Sequence, residues 1–152
     1  MGQFTGNTTP GTFKTQDFST TDGDQLSRYQ TMHIVRKTSD FALAIGGTPA
    51  TREHIIHVAE AAGTVREFVA GANNTGTATV ALSFDLKKNG TTILSGAVSV
   101  THATSDRASV SGTISSATYA AGDVFSVLLT ATTPNDSTGP FARVTFDEKA
   151  TA

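Results

Sequence analysis

Cysteine and tryptophan are both absent from this chain, and charged residues make up only 16% of it. Without cysteine there is no disulfide framework and no thiolate to hold zinc or an iron–sulfur cluster, which excludes the small, disulfide-stapled class. Without tryptophan, and with two tyrosines, the aromatic platforms on which sugar rings stack are scarce. The charge is close to balance, 11 basic against 13 acidic residues. That gives neither the basic footprint of a nucleic-acid binder nor a polybasic membrane contact, so neither partner is expected. No apolar run is long enough to cross a bilayer as a helix. The opening residues lack the basic start and apolar stretch of a signal peptide, so none is expected.

What the chain has in quantity is threonine, alanine, glycine, serine and valine. Small and β-branched residues with frequent glycine suit strands and short turns and make poor helices. At 152 residues the chain fits one domain, large enough to bury roughly 70% of its unfolded surface. A surface this poor in charge suits a subunit packed into an assembly better than a free monomer.

The clearest local signal lies in residues 77–101. Val80, Leu82, Phe84 and Leu86 alternate with Ala81, Ser83 and Asp85, Asn89-Gly90 follows, and Leu94, Val98 and Val100 take up a second strand. Period-2 spacing means one buried and one wet face, and Asn-Gly supplies the positive φ values of a tight hairpin. Other runs repeat the pattern. Met32 and Ile34 begin it after Tyr29, and Phe41, Leu43 and Ile45 end at Gly46-Gly47. Residues 52–60 and 64–70 follow, the latter expected to end in a loop at Gly71-Ala72-Asn73-Asn74. Ala108, Val110, Gly112 and Ile114 form another run; then Phe125, Val127, Leu129 and Ala131 share a face, and Ala142, Val144 and Phe146 form the last strand. Residues 50–62 are the one helical challenger, but their apolar positions make no clean helical stripe and β-branching favours strand. The expected fold class is all-β, an antiparallel β-sandwich or jelly roll of about eight strands with an extended N-terminal arm. The arm occupies residues 1–28 and the sandwich residues 29–152.

The arm carries Phe4, Phe13 and Phe18 among threonine, glycine, asparagine and aspartate. Two readings stand side by side: anchors that dock into a neighbour's pockets, or an arm lying over its own domain. Elsewhere, His54 and His57 are the tempting metal pair. On a helix they would share a face, whereas on a strand the i, i+3 spacing points them to opposite faces, where they cannot chelate one ion. Asp17, Asp22 and Asp24 lack the remaining oxygen ligands of a calcium loop and read as turn residues. Glu53, Glu60 and Glu67, with Arg52 and Arg66 nearby, read as cross-strand ion pairs rather than a pair of catalytic carboxylates. No nucleophile–base–orienter constellation stands out. No catalytic residue, metal or cofactor is therefore expected.

The FDLKKNGTTIL hairpin of residues 84–94 and the GTISSATYAAGDVFSVLLTAT segment of residues 112–132 resemble jelly-roll modules of tailed-phage virion proteins. These include head decoration (cement) proteins, head fibres and tail-fibre heads; tumour-necrosis-factor-like trimers have a similar Gly-Asp turn. No coiled-coil or collagen-like stalk accompanies the match. The resemblance implies a non-catalytic decoration protein on the capsid exterior, a homotrimer or homodimer whose partner is the major capsid protein. Phe4, Phe13 and Phe18 would then fill grooves between capsid subunits, with strand addition as one geometry. The alternative is a carbohydrate- or host-surface-binding β-sandwich module of a phage fibre. A small hydrolase on a sandwich scaffold comes third, marked by a buried carboxylate pair in a cleft.

Overall fold

The computed structural model describes residues 34–42, 46–77, 82–132 and 135–149. The arm anchors Phe4, Phe13 and Phe18, and the strand residues Met32, Leu43, Ile45 and Val80, lie outside them. The described residues contain no helix. They form ten strands: β1 (Ile34–Ala42), β2 (Arg52–Val58), β3 (Gly63–Asn74), β4 (Leu82–Lys88), β5 (Thr91–Thr92), β6 (Val98–Val100), β7 (Ser109–Ser111), β8 (Thr118–Tyr119), β9 (Val124–Ala131) and β10 (Thr138–Lys149). The chain is thus an all-β sandwich, and residues 52–58 are strand, as their β-branching requires.

Two sheets face each other. The first runs β1-β10-β3-β7, with β8 also paired to β3, and the second runs β2-β9-β4-β5, with β6 also paired to β4. Alternation explains what fills the space between them. Along β10, Ala142, Val144 and Phe146 point inward, and along β9 Phe125, Val127 and Leu129 do the same. Phe68 of β3 and Leu82, Phe84 and Leu86 of β4 join them in one continuous core.

The hairpin turn takes the conformation its residues favour, Asn89 at φ 49° and Gly90 at φ 79°. Asn89 also ties two turns together. Its Nδ2 donates to Asp123 Oδ1 at 2.7 Å, and its Oδ1 accepts from the Val124 amide at 2.8 Å. Asp123 accepts from the Ala120 amide as well, and the two hydrogen bonds hold its carboxyl below the usual aspartate range. Asn89→Ala removes both links and places an ordinary residue at positive φ. A loss of about 1–2 kcal/mol is expected, read from urea unfolding.

Two departures from the expected pattern bear on the hairpin and on β3. The return arm of the hairpin is interrupted between β5 and β6. Ile93 and Leu94 are both buried, 2% and 4% exposed, and two consecutive apolar residues cannot both face inward on a regular strand. The chain bends there, and Leu94 bridges to Ile114 rather than to β4. The second departure is at residues 71–74, expected as a loop but forming the end of β3. Gly71 fits the strand because a Cβ there would lie 2.3 Å from the Ala108 carbonyl and 2.5 Å from Phe141 Cζ. The glycine answers a close approach, not a turn.

Candidate interaction site

Strand β2 lies at the edge of its sheet among the described residues, paired on one side to β9. Its register carries one extra residue. Ile55 opposes Ser126 and His57 opposes Phe125, so Ile56 is inserted between them as a β-bulge. The insertion resets the alternation, a consequence peculiar to bulges. His54 and His57 therefore both face the opposite sheet, which corrects the expectation that a strand would send them to opposite faces. They still do not meet at one point. The His54 ring lies 4.7 Å from that of Phe41 on β1, whereas His57 stacks on Phe146 of β10 at 4.5 Å. Among the described residues no group of three or more histidines and carboxylates is placed to hold a metal ion.

His57 leads into a buried polar knot. Its Nε2 lies 3.0 Å from Glu148 Oε1, and Lys37 Nζ of β1 lies 2.6 Å from Glu148 Oε2. Lys37 also reaches Glu60, just beyond β2, at 2.5 Å. Glu148 is only 2% exposed. Burial pushes its carboxyl up, but the hydrogen bonds and charges of Lys37 and His57 outweigh that, and the net position is below the ordinary glutamate value. The same contacts raise Lys37. Beside the knot, Tyr119 packs edge-on against Phe125 and Phe146 at 5.2 and 5.8 Å. Its hydroxyl is buried without a hydrogen-bond partner. Burial first, then the charges of Glu148 and Asp147, raise its pKa well above the usual phenol range.

Both oxygens of Glu148 are thus occupied, by groups from β1 and β2, and the knot pins the two sheets together. Sequence reasoning passed over Glu148, Lys37 and Tyr119. Parity held the signal for Glu148, since it follows Val144 and Phe146 at the i+2 spacing and a carboxylate on that face has to be answered by a cation. The expected ion pairs of Glu53, Glu60 and Glu67 do form, with other partners. They bind Lys87, Lys37 and Arg143 respectively, while Arg66 pairs with Asp147. Glu53 in addition accepts from Ser126 Oγ, and these two hydrogen bonds hold its carboxyl below its usual range.

No protein-family model matches the chain, and no curated protein matches it. Among solved structures, dimeric latent PorU from Porphyromonas gingivalis is similar over 74% of this chain and 10% of that one, at 18% identity and a TM-score of 0.29. The chain spans about a tenth of that protein, and a score of this size transfers nothing to it.

The outer side of β2 is the opposite of the knot. The bulge that turns His57 inward leaves Ile55 72% and Val58 53% exposed, the two large apolar side chains most open to water among the described residues. They sit on a strand whose outer backbone edge has no partner strand among the described residues. Exposed apolar edges are pairing surfaces unless they are blunted, and here a bulge falls near the strand's centre.

Proposed function

We propose that this protein is a structural, non-catalytic virion component, a capsid decoration (cement) protein that docks on the outer shell of a tailed phage and stabilises it. The observation that carries the reading is the β2 edge, where Ile55 and Val58 stand exposed while Glu53 and His57 of the same strand are tied into the sandwich. The sequence resemblance of residues 84–94 and 112–132 to decoration modules supports it, and so does the two-sheet architecture. In this reading the edge and its two apolar side chains join copies of the chain into a homodimer or homotrimer. The arm of residues 1–28, with Phe4, Phe13 and Phe18, contacts the major capsid protein. The assembled decoration bridges capsomers, and the added apolar burial resists internal genome pressure.

The test combines solution mass with shell binding. Light scattering is expected to give a dimer or trimer that co-sediments with empty tailed-phage shells and raises their melting temperature. Ile55→Glu with Val58→Glu removes two apolar contacts worth about 1.5–3 kcal/mol each when fully buried, and should yield a folded monomer. A wild-type monomer that leaves shells in the supernatant would sink the proposal.

A further inference from the structure

We infer that the outer face of the β1-β10-β3-β7 sheet carries a trough that binds an extended acidic peptide segment of a partner protein. The trough lies on the sheet that does not contain β2, so its test stands apart from the shell experiment.

Its floor is built by alternation. Phe68 and Ala70 of β3 enter the core; Val69, between them, is 6% exposed yet lies outside that core cluster, so it is covered on the outer face. Phe141 of β10 pairs directly across from Gly71. Because Gly71 has no Cβ, the Phe141 ring lies against bare backbone, where a Cβ would come within 2.5 Å of it. That contact holds the aromatic wall in place. Ser109 of β7 pairs with Gly71 from the other side and brings a hydroxyl to the rim. The hollow has a volume of about 530 Å³. It is open to solvent rather than enclosed, which suits a chain segment better than a small molecule that must be largely enclosed.

The charge at the rim selects the partner. Arg107 and Arg143 both line the hollow. Arg107 is held in the left-handed region at φ 61°, a conformation that costs a side-chain-bearing residue free energy and that accumulates at binding positions. Its Nε donates to the Asn73 Oδ1 at 3.0 Å, a neutral acceptor that orients the guanidinium without cancelling its charge. Arg143 pairs with Glu67 at 3.1 Å, both side chains about half exposed. An exposed pair of this kind is weak and exchanges readily for an incoming carboxylate. An apolar floor between two guanidinium groups fits an apolar side chain flanked at alternate positions by aspartate or glutamate, since alternate side chains of an extended segment share one face. A nucleic acid fits worse, because the apolar floor gives a sugar–phosphate backbone nothing.

The measurement is fluorescence anisotropy of a fluorescein-labelled Glu-Thr-Leu-Thr-Glu peptide with the full-length protein at low salt. Its lysine counterpart and an oligothymidylate serve as competing probes. Saturable binding is expected, weakened by added salt and by about tenfold or more in Arg107→Glu with Arg143→Glu, two exposed substitutions that leave the core intact. On amide NMR spectra, the peptide should shift Val69, Ser109 and Phe141 and leave β2 unmoved. Unchanged affinity in the charge-reversed variant, no saturable binding by the wild type, or preferential binding of the oligonucleotide would each overturn the inference.

Discussion

Phe146→Ala is expected to lower the unfolding free energy by about 3–5 kcal/mol, enough to unfold a marginal domain near physiological temperature. The size follows from what the ring touches. Phe146 is fully buried and sits at the centre of an aromatic cluster, 4.8 Å from Phe125, 5.8 Å from Tyr119 and 4.5 Å from His57. Its neighbours belong to β2, β8 and β9, so the cavity opens where the two sheets meet. Those neighbours cannot collapse inward. His57 is tethered to Glu148, and a Cβ on Gly63 would lie 2.5 Å from the Tyr119 hydroxyl, so backbone already crowds the tyrosine. Phe146→Leu keeps most of the volume and should cost about half as much. Urea unfolding of both variants gives the comparison; equal and small effects would mean that the ring cluster repacks freely.

Much of this core was legible in the sequence because strand parity is a short-range rule. Val144 and Phe146, Phe125, Val127 and Leu129, and Leu82, Phe84 and Leu86 each announce their faces by alternation, and Asn89-Gly90 announces its turn. Parity fails where the backbone gains a residue. Nothing in REHIIHVAE marks Ile56 as inserted, because the bulge shows only in the pairing with β9, which is distant in sequence. The same holds for Gly71, which looks like a loop residue until Phe141 and the Ala108 carbonyl are brought against it. Partners of charges were the least legible of all. That Glu53, Glu60 and Glu67 would be paired followed from their positions, but Lys87, Lys37 and Arg143 are chosen by strand order, which alternation does not encode. The exposed edge of β2 depends on the same bulge, and so it emerged only from the fold.

Glu148→Gln is expected to cost about 2–3 kcal/mol at neutral pH, and the cost should shrink as the solution is acidified. In the wild type the buried carboxylate answers Lys37 and His57 from two other strands. The amide keeps the shape and loses the charge, leaving the Lys37 ammonium with the exposed Glu60 alone. Glu148 sits below its ordinary value near 4.5 in the folded protein. Its contribution is therefore complete above that value and lost as the pH falls through the folded pKa. Below that point wild type and variant both carry a neutral side chain at position 148, and their stabilities should converge. Lys37, raised above its ordinary 10.5, works in the other direction. Its share is complete below that value and disappears as alkali carries the pH through the folded pKa. Glu60→Gln is the control: Glu60 is 79% exposed, and its loss should stay within about 0.5 kcal/mol at any pH. A Glu148→Gln penalty that stayed constant down the acid limb would assign the loss to shape rather than charge. The knot would then be a packing feature, and the inward turn of His57 would have to be explained by its stacking on Phe146 alone.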